Sequence, residues 1–369
     1  MTATKKKNIL FDNQQGRDFY TVLKQRVAQS FKKTQSSYKA NLFMCLKSCF
    51  LMSVVLLGYL LLISGIATSA LGIIGLYVLL GFLVAMGAMN VAHDALHGAY
   101  VTGTIGNRLI GFVMDLFGTS SFYWKKEHTV DHHTFTNIVE HDADLNVPIV
   151  LRLCPRAPWR SFHKYQRFYA PLLYSINLIR WVYYSDPRRI IKAIKAKMAG
   201  EKSAPVPELA LMVLFKVVHV FLFIALPLML LPVSPWVVIV GYLCLLSTMG
   251  LTLTTIFQLA HIVENVAFPS PDAHGKIDNS FILHQLQTTS NFATKSKVVN
   301  FLFGGLNFQI EHHLFPYVCH IHLHKLSPIV RETAKEFGLM YYENKSFFTA
   351  IRSHFRTLKR FGDASSIEN

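Results

Sequence analysis

Four long apolar runs constrain this chain before anything else does. Residues 42–64 (LFMCLKSCFLMSVVLLGYLLLIS), 69–92, 209–231 and 236–259 are each near the ~20 residues that cross a hydrocarbon core as a helix. The third run holds Lys216 and His219, so a helix buried inside a protein is its competing reading. Charge placement favours four spans. Of 37 Lys and Arg, nine lie in residues 1–41, fifteen in 91–208 and eleven in 259–369. The short connections near 64–69 and 230–236 carry none. The excess of Lys and Arg beside a span marks the cytoplasmic side. Both termini and the large middle loop are therefore expected there. The net charge of +16 reads as attraction to membrane surfaces and phosphate. No interleaved basic and aromatic motif points to nucleic acid.

The flanking segments fit the same picture. MTATKKKN is basic but is followed by polar residues, not by the apolar core of a cleavable signal. The five Cys (45, 49, 154, 244 and 319) have neither metal nor disulfide spacing, as expected in a reducing compartment. Phe19, Leu23, Val27 and Phe31 recur every four residues and mark an amphipathic helix. Residues 105–118 and 180–198 read as interfacial helices on the cytoplasmic surface. GDASSIEN reads as a frayed end. The expected organisation is a cytoplasmic N-terminal amphipathic segment (1–41), a main membrane-spanning domain (42–340) and a cytoplasmic C-terminal tail (341–369).

The chain has 17 His, many of them clustered. HDALH places His93 and His97 just past the second apolar run. If that helix continues, an i, i+4 pair puts both rings on one face, about 6 Å apart along the axis. HTVDHH supplies His128, His132 and His133. NFQIEHHLFP supplies His312 and His313, with Gln309 three residues ahead. His261 stands at the end of the fourth run. Each group alone reads equally well as a polar helix face. Together they fall at the cytoplasmic ends of spans or in cytoplasmic loops, and none falls on the other side. Eight imidazoles exceed the three or four ligands of one metal, so two metals fit the count. Imidazole suits Fe, Cu, Ni and Zn alike. Asp94, Asp131 and Glu311 adjoin the clusters and are candidates to accept the second ring N–H of a ligand. HDALH lacks the Glu after the first His that a zinc protease needs.

These stretches resemble the membrane-bound fatty acid desaturases. HDALH, WKKEHTVDHHTFTN with the later HDADL, and FQIEHHLFP match that family's three histidine boxes in order. Gln at the start of the third box, with FQLAH (257–261) and HQLQTTSNF (284–292), resembles the front-end subgroup, which includes acyl-CoA delta-6 (linoleoyl-CoA) enzymes. The resemblance covers about residues 40–340. It implies an all-α integral membrane protein, with four transmembrane helices and a cytoplasmic helical cap holding a di-metal histidine site. It further implies two Fe2+ ions bound by His93, His97, His128, His132, His133, His261, His312 and His313. Gln309 would be a weak ligand or stand behind the ligands. No His-Pro-Gly-Gly haem motif occurs here, so the resemblance implies electrons from a separate ferredoxin or cytochrome b5 and its reductase. That points towards a bacterial-type enzyme.

The implied reaction uses O2 and two electrons to oxidise adjacent methylenes of an acyl chain. Such carbons offer no acidic proton, so a metal oxidant is needed. STMGLTLTT (247–255) lines an acyl tunnel or simply packs helices closely through small residues. A lipid or alkane hydroxylase is the alternative enzyme. A metal-containing transporter or receptor is the alternative from another class, although transport sites tend to lie at mid-membrane. Among the remaining polar residues, Asp144, with Asp142 and His141, is expected to support ligands or fix a loop. His284 is expected near substrate or behind the ligands. His320, His322 and His324 are expected in a surface loop. His163, His219, His274 and His354 are expected to be structural.

Overall fold

The computed structural model describes residues 9–12, 14–145, 147, 149–198 and 206–366. The MTATKKKN opening and the last three residues of GDASSIEN lie outside them. The fold is helical. The helices are α1 (Arg17–Lys33), α2 (Leu42–Ile63), α3 (Ala70–Leu96), α4 (Thr104–Leu116) and α5 (121–135). They continue with α6 (Gln166–Arg180), α7 (Asp186–Met198), α8 (Val206–Leu230) and α9 (Pro235–His261). The last are α10 (Phe281–Thr288), α11 (Lys297–Leu302), α12 (Gln309–Leu314), α13 (Leu323–Glu336) and α14 (Phe347–Gly362). Four two-residue strands form two parallel ladders, β1 (Leu10–Phe11) with β2 (Lys276–Ile277) and β3 (Asn291–Phe292) with β4 (Glu343–Asn344).

Helices α2, α3, α8 and α9 are long and apolar enough to cross a membrane. They match the four expected runs, with ends shifted by a few residues. The second runs on to Leu96, so His93 continues the helix and His97 caps it.

The chain divides into two compact units. One holds residues 41–124 and 171–255. Here α2 packs on α3, and close approach of α3 to α9 depends on a missing side chain. A Cβ at Gly81 would run into the carbonyl of Leu245. Small residues allow such approach where lipid supplies no hydrophobic drive between helices. Helix α8 has a π turn at Phe221–Ala225. Tyr59 Oη donates to the Leu222 carbonyl (2.8 Å) and Tyr77 Oη to that of Phe223 (2.9 Å). In an apolar surrounding this supports backbone that has left the regular ladder.

The polar pair of the third span is satisfied within the same unit. Lys216 Nζ donates to the Gly118 carbonyl (2.7 Å) and meets Asp186 at 2.8 Å. His219 lies 3.1 Å from the Leu116 carbonyl through Nδ1 and 2.8 Å from Tyr242 Oη through Nε2. A span tolerates such residues only where partners are supplied, which explains how this run carries a Lys and a His.

The other unit holds the described residues of 1–40, 125–170 and 256–369. Its core joins Phe19, Leu23, Val27 and Phe31 of α1 to Leu326, Val330 and Ala334 of α13 and to Ile310 and Leu314 of α12. The apolar stripe of α1 is thus covered by protein rather than lipid. Arg26 grips Glu336 through two bonds of 2.9 and 2.7 Å. Residues 341–366 are not a loose tail. Helix α14 buries Ala350, Leu358 and Phe361, and fully buried Arg152 donates to the Phe361 carbonyl (2.6 Å).

Asp115, at the end of α4, is buried. Burial pushes its carboxyl pKa up to about 6, against the Ser121 N–H that it accepts at 3.1 Å. The unfolded chain ionises near pH 4, so stability falls as pH rises from about 4 to 6 and is level above. Asp115→Asn keeps the acceptor and removes the buried charge. The variant is expected to melt higher than the wild type above pH 6, by a margin on the order of 2 kcal/mol. Below pH 4 the two should coincide. Thermal unfolding in detergent across pH checks this, and an unchanged difference at all pH values would refute it.

Candidate metal centre

Helix α5 changes register where its histidines lie. Residues Glu127–His132 form a π turn, a local widening frequent at functional sites. Residues five apart then face each other, and the Nε2 atoms of His128 and His133 stand 3.3 Å apart. A second π turn, Ala88–Ala92, precedes His93 in α3.

In the unit built on α1, six histidines from three parts of the chain meet. They are His128, His132 and His133 of α5, His261 ending α9, and His312 and His313 of α12. All are buried. One ring nitrogen each of His132, His261 and His313 lies within 4.8 Å of the others. The ring centroids of His132 and His261 are 4.7 Å apart, and those of His261 and His313 are 4.8 Å apart. His133 and His312 approach to 4.7 Å, and His128 stacks on His312 at 6.3 Å.

Three of these rings are fixed by oxygen atoms. His132 Nδ1 is 3.0 Å from Asp142 Oδ1, and Asp144 lies 3.4 Å away. His261 Nδ1 faces the Thr288 carbonyl at 3.2 Å. His313 Nδ1 is 2.8 Å from Gln285 Oε1. The amide orientation of Gln285 follows from its other end, where Nε2 donates to the His133 carbonyl (3.0 Å). A carbonyl only accepts, so Oε1 must face His313 and receive its N–H. Each Nδ1 therefore carries the proton, which leaves Nε2 with a lone pair. His132 Nε2 is buried and has no hydrogen-bond partner among the described residues. Three imidazoles aimed together, each held behind by an oxygen, match the donor set of a metal site. Without a metal, burial opposes the His132 imidazolium, yet the Asp142 and Asp144 carboxylates outweigh it and push its pKa up to about 9. The same field favours a metal cation in the proton's place.

The first box lies in the other unit. His93 and His97 have ring centroids 4.7 Å apart, and Trp124 stands edge-on to both at 5.7 and 6.3 Å. Asp94 is buried, with Oδ1 3.7 Å from His93 Nδ1. Gln309 is buried at the start of α12, and its side chain reaches the His261 ring.

Several expected supports lie elsewhere. The carboxylate that fixes His132 is Asp142, ten residues on, rather than adjacent Asp131, because the π turn aims Nδ1 towards the following loop. Glu311 is tied to residues other than histidine in the bonds seen. It accepts from Asn291 Nδ2 (2.7 Å) and Tyr341 Oη (2.8 Å) and so anchors α12. Burial raises its pKa to about 7, against those two bonds. His284 is buried against Phe11, centroids 5.1 Å apart, outside the cluster. His320 and His322 are buried rather than in a surface loop, with His322 Nε2 3.1 Å from the Lys39 carbonyl. Only His324 of that trio is exposed. His163 and His354 are buried on carbonyls of Ile149 (2.7 Å) and Ile262 (2.8 Å), and His274 is exposed.

Gln285 carried no role in the sequence reading, although HQLQTTSNF was singled out. A Gln beside a His that is not a ligand gives no local signal. The nearest one was its position four residues before Thr289, in a polar run between apolar helices.

Residues 67–345 match the family described as fatty acid desaturase. The chain is 34% identical over 354 residues to the sn-1 linoleoyl-lipid 6-desaturase of Synechocystis sp., covering 95% of this chain and 97% of that protein. It is 31% identical over 363 residues to the enzyme of the same description from Arthrospira platensis, covering 98% and 96%. It is 33% identical over 362 residues to the acyl-lipid (8-3)-desaturase of Physcomitrium patens, covering 97% and 74%. With the histidine boxes in place and this match over most of its length, the chain belongs to the fatty acid desaturase family.

Proposed function

We propose that this chain is a multi-pass acyl-lipid desaturase of the front-end type, with termini and active site on the cytoplasmic side. It would convert a CH2–CH2 pair of an acyl chain to CH=CH, consuming one O2, two electrons and two protons and releasing two waters. The observation that carries this is the buried set of His132, His261 and His313, each locked as the Nδ1–H tautomer with its other nitrogen turned inward. The relatives' descriptions support the acyl-lipid substrate class. A ferredoxin or cytochrome b5 and its reductase would supply the electrons.

The ligands of two iron ions are His93, His97, His128, His132, His133, His261, His312 and His313, with Gln309 as a weak ligand or a neighbour that steadies bound groups. Iron supplies the one-electron chemistry that activates O2 against an unactivated C–H bond. The chain's own residues do the rest. Asp142, Thr288 and Gln285 hold three rings in one tautomer and orientation. Asp94 supports His93. Glu311, through Asn291 and Tyr341, holds the helix that carries Gln309, His312 and His313. Burial excludes water that would quench the oxidant.

Purified protein should contain two irons per chain, and His132→Ala should lose at least one while remaining in the membrane. Metal analysis checks both, and stoichiometric zinc with no iron-supported desaturation would refute the reading. Lipid profiles of an expressing host should show acyl chains lighter by two hydrogens rather than heavier by one oxygen.

Gln285 acts through His313. Gln285→Ala is expected to weaken iron binding by about 10–100-fold, the usual cost of removing a partner behind a ligand. Gln285→Glu restores an acceptor for His313 Nδ1 but loses the donor to the His133 carbonyl, so its affinity should fall between the two. Iron titration of the apoprotein reads this directly. Equal affinity in all three proteins would show that the amide does not position the ring.

A further inference from the structure

Helix α14 has two unlike faces. One is buried and tied to the segment that follows His261. His354 Nδ1 donates to the Ile262 carbonyl (2.8 Å), and Ser353 Oγ accepts from the Glu264 backbone N–H (2.9 Å). A single hydrogen bond therefore links the His354 ring to the residue next to His261. The other face carries Arg352, Arg356, Lys359 and Arg360, all exposed. Their spacing of four, three and one places them on one stripe. Phe347–Gly362 contains no Asp or Glu. The facing acids are Glu264, 3.8 Å from Arg356, and exposed Asp363 just past the helix end.

A basic helix face fits either an anionic bilayer or an acidic protein. A helix lying on a bilayer must insert apolar side chains. Helix α7 is of that kind, with Ile191, Ile194 and Met198 exposed beside its Lys and Arg residues. On α14, Ala350, Leu358 and Phe361 are buried, and no large apolar side chain is exposed among the described residues beyond Phe348. Its outer face from Arg352 onwards is dominated by charge, with Phe355 half-buried beside the stripe.

We propose that the Arg352, Arg356, Lys359 and Arg360 stripe is the docking surface for an acidic one-electron carrier protein. This rests on the desaturase reading, whose reaction takes two electrons from outside the chain. Two reduced carriers dock in turn, and each gives up one electron and leaves oxidised. Those two electrons, two protons, one O2 and the two hydrogens taken from the acyl chain leave as two waters. The helix that carries the stripe is hydrogen-bonded to the segment after His261, so the carrier would sit against the element that also braces that segment. Exposed charges of this kind govern encounter rate and salt dependence, and screening acts over about 8 Å at physiological ionic strength.

The test uses the full chain in detergent, with purified acidic ferredoxin and purified acidic cytochrome b5 as probes in surface binding measurements. Wild type should bind at least one carrier, more weakly as salt rises. The combined Arg352→Glu, Arg356→Glu, Lys359→Glu variant should bind about tenfold more weakly or worse and lose most of the salt dependence. Arg352→Lys with Arg356→Lys should bind like wild type, and the corresponding Gln variants should fall between, which separates charge from misfolding. Unchanged affinity in the Glu variant, or no binding of either carrier by wild type, overturns the proposal. Lipid profiling of the wild-type chain tests the desaturase reading separately. Desaturation with charge-independent carrier binding sinks only the docking surface. Charge-dependent binding without any desaturation supports the surface and sinks the reading beneath it.

Discussion

Six imidazoles buried in one unit set the terms for everything around them. A buried polar nitrogen without a partner costs roughly 1–3 kcal/mol, so each ring needs a second atom behind it. The surrounding chain supplies oxygen in three forms: the Asp142 carboxylate for His132, the Thr288 carbonyl for His261 and the Gln285 amide for His313. Those partners then need their own support. Asp142 Oδ2 accepts from the Asn137 N–H (2.8 Å), Asn137 Nδ2 donates to the His261 carbonyl (3.0 Å), and Thr136 reaches Gln285 (3.2 Å). Rings, partners and supports thus form one connected polar network, in which each bond orients the next.

The three partners are electrically unequal, and that has a consequence. A carboxylate stands behind His132, whereas a carbonyl and an amide stand behind His261 and His313. A site for two divalent cations built only on neutral imidazoles would leave all the positive charge uncompensated in a buried space. Asp142 and Asp144 place negative charge beside His132, and Asp94 places it beside His93. Gln285 adds a fixed dipole behind His313.

What the sequence disclosed follows from range. Periodicity and run length are local, so the four apolar helices and the stripe of α1 were legible to within a few residues. The histidine boxes were legible because chemistry and spacing coincide in short stretches. Partners contributed from a distance were legible only in part: Asp142 and Asp144 were expected as supports, whereas Thr288 and Gln285 were not. Adjacent Asp131 and Glu311 looked like supports, yet the π turn in α5 aims His132 at Asp142, and α12 points Glu311 at Asn291 and Tyr341. Two-residue pairings such as β3 with β4 have no sequence signature of their own. His320 and His322 alternate like a surface loop, but a turn at the start of α13 buries both. The function of Lys216 and His219 in the third span was likewise invisible, because Asp186, Gly118, Leu116 and Tyr242 reach them only after folding.

The histidine-bearing unit is assembled from three stretches far apart in sequence. Closing such loops costs entropy before any contact forms, and clustering donors costs desolvation once it has. Helix α1 against α13 and α14 against the Ile262 carbonyl offset these costs through apolar burial and hydrogen bonds that do not involve the donor set. The frame can then hold the imidazoles in place ahead of any metal. A cation that binds this folded arrangement and not the unfolded chain adds to stability by mass action. The order of dependence therefore runs from helix packing to ring orientation to metal, and a substitution in α1 or α14 weakens the centre without touching a ligand.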